Sequence, residues 1–350
     1  MKPLRIGAIG SGYWGPNLIR NFVELADSEL IAVADLNEAR LAYIKERYPT
    51  VQVTRNYRDL FSLKLDAVVV ATPPATHYQL VSDCLEHDLN VLVEKPITLN
   101  SAHAEELVHL ADARGLKLMV GHTFEYNTAV EMLRRLIESG ELGQIYYIDT
   151  VRVNLGLFQR DLNVLWDLAP HDISILLYLL GETSLSVSAQ GTSCVLDGVQ
   201  DVAYLNLTFA NNILAHVRVS WLDPSKTRRI TIVGSKKMVI YDDVETIEKI
   251  KIYDKGVKPP PYTDNFGEFQ FGYRHGDVVI PHIHFVEPLR QECQHFLDSI
   301  KHNRTPRSDG RVGLNVVRVL EAAQRSLKNG GASQDVILDK QGALCLAMGQ

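Results

Sequence analysis

The feature that most constrains this 350-residue chain is a glycine turn set between two apolar runs near its start. Leu4 to Ile9 reads as a strand, Gly10-Ser11-Gly12-Tyr13-Trp14-Gly15 follows at once, and Pro16 to about Leu25 carries a helical pattern. Leu30 to Ala34 is a second strand, and Asp35 stands at its end. In such a unit Gly10 permits the tight turn, Gly12 lets the backbone approach a pyrophosphate, and Gly15 allows close packing of the helix. The helix N-terminus then faces the phosphates. Ser11, Tyr13 and Trp14 belong to the same turn and are candidate cofactor contacts. Asp35 is placed to accept hydrogen bonds from the adenosine ribose. Its charge repels a 2′-phosphate, so NAD is expected rather than NADP, with nearby Arg40 as a partial offset.

The alternation continues. Ala67 to Ala71 is a continuous apolar run, as expected of a parallel strand buried on both faces. Its exit loop, Thr72-Pro73 and on to His77, lies where strand ends line the ligand crevice of an open α/β sheet. Asn90 to Val93 is another strand, ending in Glu94-Lys95-Pro96, and it places Lys95 beside the nicotinamide. Helix Ala102 to Gly115 and strand Lys117 to Gly121 complete a doubly wound Rossmann domain, residues 1–121.

From 122 to 350 the pattern changes. A helix over Ala129 to Ser139 and a strand over Ile145 to Val153 precede a second helix that stops at Gly181. Six strand-like segments follow, from Ser184 to Tyr253. They predict an α+β domain with a large, mainly antiparallel open sheet of about six strands and helices on one face. The other face needs cover, which a second subunit would supply, so a homodimer or homotetramer through this sheet is expected. Lys258 to Pro261 reads as a loop. Asp264 to Asp277 has no clear period and reads as a substrate cover or an oligomer arm. Helices over Glu287 to Lys301 and Arg311 to Asn329 are free to pack back on the first domain.

Asp167-Leu168-Ala169-Pro170-His171-Asp172 carries the chemistry. Asp167 and His171 fall one turn apart on one helix face. An imidazole titrates near neutrality, so His171 is the acid/base candidate. Asp167 either orients that ring or binds a substrate hydroxyl, and Lys95 shares the hydroxyl or relays its proton. Asp172 reads as a polar-network partner. Arg152, Asn154, Arg160 and Asn163, just upstream, suit an anionic or polyhydroxylated ligand. His282 and His284 share a strand face, but no compact ligand set forms with Asp167, His171 and Asp172, and no metal is expected.

Charge and composition narrow the partners. The formal net charge is -6 with no long basic run, against nucleic acid or an anionic membrane. Cys84, Cys194, Cys293 and Cys345 have no metal or redox spacing. The longest apolar region, Ile173 to Leu180, is far too short to span a bilayer, and Met1-Lys2-Pro3 opens no signal-peptide pattern, so a cytoplasmic protein is expected.

Nearly the whole chain resembles the Gfo/Idh/MocA family of sugar and inositol oxidoreductases. The resemblance rests on Gly10 to Gly15, Ala71-Thr72-Pro73 with His77, Glu94-Lys95-Pro96, and Asp167 to Asp172. It implies that Lys95, Asp167 and His171 surround the reacting hydroxyl, that the sugar stacks on the nicotinamide, and that dimers or tetramers form through the second sheet. Ala169 replaces the glycine of the family's Asp-x-Gly-x-His form and leaves the charged positions intact. Glu94 and Trp166 join the cofactor candidates. Val120 to Asn127, Arg152 to Gly156, Asn163 to Asp172 and Pro306 to Gly310 are similar to a nucleotide-sugar branch that includes UDP-N-acetylglucosaminuronate 3-dehydrogenases. That similarity implies Glu125, Asn127, Arg152, Arg160 and Asn163 as contacts to a sugar nucleotide. The alternatives are a free-sugar or inositol dehydrogenase, a non-catalytic NAD-binding sensor, and NAD-assisted glycoside cleavage.

Overall fold

The computed structural model describes residues 2–181, 184–258 and 271–336. It divides the chain into two compact units, one of residues 1–127 and 286–318, the other of 128–285 and 319–350.

The first unit is built on β1 (Leu4–Ile9), β2 (Ser28–Ala34), β3 (Gln52–Thr54), β4 (Ala67–Val70), β5 (Asn90–Glu94) and β6 (Leu118–Gly121), in the spatial order β3-β2-β1-β4-β5-β6. Every pairing is parallel. All four residues of β4 are buried, which is why that run is apolar without alternation. The crossovers carry α1 (Gly15–Glu24), α2 (Glu38–Arg47), α3 (His77–Glu86) and α4 (Ser101–Arg114). Asn37 and Asn100 cap α2 and α4 through their side-chain oxygens, each accepting from two backbone N–H groups.

The second unit opens with α5 (Thr128–Glu138), β7 (Ile145–Val153) and α6 (Val164–Leu180). Strands β8 (Ser186–Thr192), β9 (Val202–Thr208), β10 (Leu214–Ser220), β11 (Thr227–Gly234), β12 (Met238–Asp242), β13 (Ile250–Lys258) and β14 (Gly272–Val279) follow. After α7 (Pro288–Lys301) and α8 (Gly310–Lys328), the short β15 (Gln334–Asp335) joins them. The sheet has nine strands in the order β14-β13-β12-β11-β7-β10-β9-β8-β15. It is mixed, because β7 runs parallel to β10 while its other neighbour, β11, is antiparallel. Alternation is clean in β9, where Ala203, Leu205 and Leu207 are buried between exposed Tyr204 and Asn206. Helix α6 packs over the buried face against β10, β9 and β7.

The strand count exceeds the six expected, and β14 explains part of the excess. Gly272 to Asp277 belongs to this edge strand, whereas the sequence suggested a loop or arm from Asp264 onward. Seven of its eight residues are exposed, so no buried face imposes a period of two. Residues 259–270, which hold most of the expected proline loop and arm, lie outside the described residues, as does Cys345.

Helix α7 is part of the first unit. Its Leu289, Cys293, Phe296 and Leu297 share one core with Leu18, Ile19 and Phe22 of α1. The unit boundary falls within α8, after Arg318. Among the described residues no helix is long and apolar enough to cross a membrane. Phe296 is fully buried in the α1–α7 core. Phe296→Ala should therefore destabilise the first unit by about 3–5 kcal/mol, read as a lower urea midpoint at unchanged m-value.

Candidate active site

The glycine turn is set by two close approaches. Gly10 has φ +95°, and a Cβ there would lie 2.4 Å from the Ala71 carbonyl oxygen. A Cβ on Gly15 would lie 2.3 Å from the Gly10 carbonyl oxygen. Gly12 differs, for its nearest neighbour would be the Arg40 guanidinium at 3.5 Å. Its missing side chain therefore clears space in front of the turn. Helix α1 begins there with no side-chain cap and no acidic residue in its first turn. Its positive dipole end meets no side-chain acceptor from a cap, in contrast to α2 and α4. This is the cradle a pyrophosphate requires.

Asp35 braces the cradle from the end of β2. Its Oδ2 accepts from the Ser11 backbone N–H at 2.6 Å and the Ser11 hydroxyl at 2.9 Å, and its Oδ1 accepts from Asn37 N–H at 2.8 Å. Burial pushes its pKa up, but these hydrogen bonds and the Arg40 charge outweigh burial and hold the carboxyl below its usual value. A carboxylate offers about four lone-pair sites, so acceptor capacity remains for a ribose. Tyr13 and Trp14 are both exposed beside the turn.

His77 ties the crevice loops together. It is fully buried, with Nδ1 at 2.8 Å from the Pro96 carbonyl and Nε2 at 2.9 Å from the Thr72 carbonyl. The expected cofactor contact is thus a brace between the Thr72-Pro73 loop and the Lys95-Pro96 segment. Thr72 and Thr76 share a hydroxyl hydrogen bond of 2.7 Å. Lys95 is half-buried at the end of β5, next to a cis Lys95–Pro96 bond. Its backbone N–H donates to Glu94 Oε2 at 3.2 Å.

Behind Lys95 the first unit buries a group of ionisable side chains. Desolvation lifts Glu94 to about 7, opposed by Lys95 and by a hydrogen bond from Trp14. Burial pulls His122 down to about 3, with the Lys95 charge acting the same way, so its ring is neutral. Glu125 is completely buried and Glu292 nearly so. Thr123 Oγ1 donates to Glu292 Oε2 at 2.6 Å, yet burial and the charges of Glu94 and Glu125 push Glu292 well up. Glu125 was expected to touch a sugar nucleotide, and its burial instead places it in this interior group. Asn127 follows in the next turn, with its N–H on the Phe124 carbonyl at 3.1 Å. Sequence reasoning missed Glu292; its one signal is an acid on the apolar face of α7, beside Cys293 and Phe296.

The second unit carries the Asp–His pair. Asn163, expected as a ligand contact, is the N-cap of α6: its Oδ1 accepts from Trp166 N–H at 3.2 Å, and its Nδ2 donates to Gln200 and Gln324. Trp166 is buried, and its indole N–H is engaged by Gln324 at 3.3 Å. Asp167 Oδ2 accepts from the Trp221 indole N–H at 2.9 Å. His171 is half-buried one turn further along α6. Asp172 is 1% exposed and accepts from Arg152 Nε at 2.7 Å and Nη2 at 3.4 Å. Arg152 is therefore committed to a buried ion pair rather than displayed to a ligand; it is 5% exposed. Arg160 is exposed, as a ligand contact requires, and Asn154 is half-buried. His282 and His284 pack ring against ring at 4.7 Å. Among the described residues no three or more His, Cys, Asp or Glu side chains are grouped to hold a metal ion.

A Rossmann unit with an uncapped glycine cradle, joined in one chain to a mixed-sheet unit bearing an Asp–His helix, defines a dinucleotide-dependent oxidoreductase. More narrowly, the chain belongs to the GFO/IDH/MocA family: residues 4–122 match its oxidoreductase domain with an NAD-binding Rossmann fold, and 130–240 its C-terminal domain. It is 27% identical to the UDP-N-acetylglucosamine 3-dehydrogenase of Acidithiobacillus ferrooxidans, over 92% of this chain and 96% of that protein. A solved structure of that enzyme superposes with a TM-score of 0.79, at 24% identity over 94% of this chain and 99% of the other. The myo-inositol 2-dehydrogenase of Thermotoga maritima is 25% identical over 93% of this chain and 96% of that protein. GenD2 from gentamicin A biosynthesis, solved in complex with NAD, shares the fold with a TM-score of 0.80 at 22% identity, covering 97% of each chain.

Gly10→Ala should abolish dinucleotide binding in a fluorescence titration. Gly140→Ala, which also has positive φ but meets nothing within 4 Å, should leave binding intact. Glu94 supplies a pH test. Between about 4.5 and about 7 the folded chain keeps a proton on Glu94 that the unfolded chain has released, so its contribution to stability falls as pH rises. The unfolding free energy of the parent, minus that of Glu94→Gln, should decline across that window and stay level above it.

Proposed function

We propose that this protein transfers a hydride between NAD and a hydroxyl or ketone carbon of a sugar, at C3 of a nucleotide sugar such as a UDP-N-acetylhexosaminuronate. The observation that carries the reading is the Asp167–His171 pair on the helix after β7, in a chain that aligns almost end to end with a UDP-N-acetylglucosamine 3-dehydrogenase. Asp35, with its carboxylate held ionised behind Gly12, supports NAD over its 2′-phosphorylated form.

NAD, when bound in the cradle of α1, supplies the hydride acceptor. His171 takes the hydroxyl proton as the carbonyl forms and returns it in the reverse direction. Lys95 holds the same hydroxyl and lowers its pKa. Asp167, an acceptor fixed by Trp221, orients the sugar hydroxyl or the imidazole. Arg160 is the upstream cation left for the anionic part of a nucleotide sugar. A cyclitol substrate is the second reading, favoured by the similarity to a myo-inositol 2-dehydrogenase.

The sheet of the second unit supports self-association. Tyr147 and Leu214 are exposed at paired positions of β7 and β10, and Tyr204 of β9, opposite Arg218, is exposed on the same face. A homodimer or homotetramer would cover that face, and sedimentation equilibrium should give a mass at least twice that of the chain.

The substrate test is a panel of UDP-sugars, free hexoses and myo-inositol with NAD and NADP, followed by absorbance of the reduced nicotinamide. Turnover of a UDP-sugar with NAD is expected; turnover of inositol alone would select the second reading. His171→Ala should lower kcat by about 10²- to 10⁴-fold and leave the Kd for NAD unchanged. Undiminished turnover in that variant would remove His171 from the chemistry.

A further inference from the structure

The helix that carries the proposed reacting pair lacks one rung of its backbone hydrogen-bond ladder between its two members. Pro170 lies inside α6, after Asp167 and directly before His171. Proline has no N–H, so the carbonyl of Trp166, four residues earlier, receives no backbone bond from it, and the ring crowds that turn. The backbone linking Asp167 to His171 is therefore the part of α6 least determined by the helix itself.

Two side-chain contacts flank the missing rung. On the N-terminal side the Trp221 indole N–H donates to Asp167 at 2.9 Å. The indole is 1% exposed and packs against Phe158, with ring centroids 5.6 Å apart. A Cβ on Gly156 would stand 3.0 Å from the indole Cδ1. The Trp221 backbone is tied on both sides, its N–H donating to the Asp201 carbonyl at 2.9 Å and its carbonyl accepting from Gly156 N–H at 2.8 Å. An indole N–H is a donor only, so this contact holds Asp167 as an acceptor.

On the C-terminal side Asp172, adjacent to His171, is gripped by Arg152 through two nitrogens. Arg152 stands on β7 in the middle of the sheet, opposite Val219 of β10 and Arg228 of β11. A forked guanidinium meeting a carboxylate fixes direction as well as distance.

We propose that Trp221 and Arg152 are positioning residues: each holds one carboxylate of α6 on either side of Pro170, and together they set how Asp167 and His171 stand relative to one another. The inference rests on the proposed roles of Asp167 and His171. It assigns a task to Trp221, and it gives Arg152 a task other than contact with the substrate.

The test separates geometry from folding. Trp221→Phe keeps an aromatic ring and removes the N–H donor. Arg152→Met alone would strand a buried carboxylate, so it is combined with Asp172→Leu, which removes both charges from the interior together. Both proteins are checked for an unchanged circular dichroism spectrum and an unchanged Kd for NAD. With whichever UDP-sugar or cyclitol turns over in the panel, kcat should fall about 10- to 100-fold, the loss expected when a hydrogen bond to a charged group disappears. KM should move less than threefold, and the primary deuterium isotope effect on kcat should rise. In the protein without substrate, the indole proton resonance of Trp221, identified by its loss in Trp221→Phe, should shift in Asp167→Asn. Wild-type kcat in both variants, with His171→Ala impaired, would overturn the positioning role and leave the functional reading standing. Wild-type kcat in His171→Ala would overturn both. A fall in kcat for Trp221→Phe alone would overturn the Arg152 half.

Discussion

The uncapped N-terminus of α1 is the constraint around which the first unit is arranged. A helix end without a side-chain cap is costly unless water or a ligand satisfies it. Here three features combine to keep that end uncapped and accessible. Gly10 turns the chain through positive φ against Ala71, Gly15 lets the helix start directly over the strand, and Gly12 leaves the front of the turn clear. Asp35 then holds Ser11 from the neighbouring strand, so the cradle is rigid before any phosphate arrives. The parallel sheet supplies what this needs: two adjacent strand ends, β1 and β2, delivered to the same edge. Residues far along the chain support it, since α7 shares one buried core with α1.

How much of this was legible in the sequence depended on whether a residue's task is local. The glycine turn, the buried strand β4 and the acid at the end of β2 are decided within a few residues, and they stand where the sequence put them. Asn163 and Arg152 were legible only as polar types. An asparagine before a helix caps it and an arginine on a buried strand face seeks a carboxylate, but both are also what an anionic sugar needs. The choice between those tasks was made by partners distant in sequence: Asp172, 20 residues on, for Arg152, and Gln200 and Gln324, 37 and 161 residues on, for Asn163. Glu292 was invisible for a related reason: an acid on an apolar helix face signals burial, while its Thr123 partner is 169 residues distant. Strand β14 escaped because an edge strand exposed on both sides has no period to detect.

Burial also orders the chemistry within the second unit. Groups enclosed by protein, Arg152, Asp172 and Trp221, are matched donor to acceptor, as groups removed from water must be. Asp167 and His171 lie at the margin of that matched interior, half-buried, each one position from a locked neighbour or bonded to one. The proton transfer proposed for this pair benefits from such placement, since its geometry is inherited from a rigid interior while its outer side stays accessible.

The segment from Asn154 to Arg160 then has a distinct part to play. Its first turns are fixed to β10 through Asn154 N–H on Ser220 and Gly156 N–H on Trp221. Between and beyond those anchors it displays Leu155, Leu157 and Arg160 to solvent. Loop side chains on a fixed base are free to differ between relatives without disturbing what lies beneath. Under the proposed function, the Asp–His helix is the part that sets the reaction, and the exposed side chains between β7 and α6 are the part that sets which hydroxyl is offered to it.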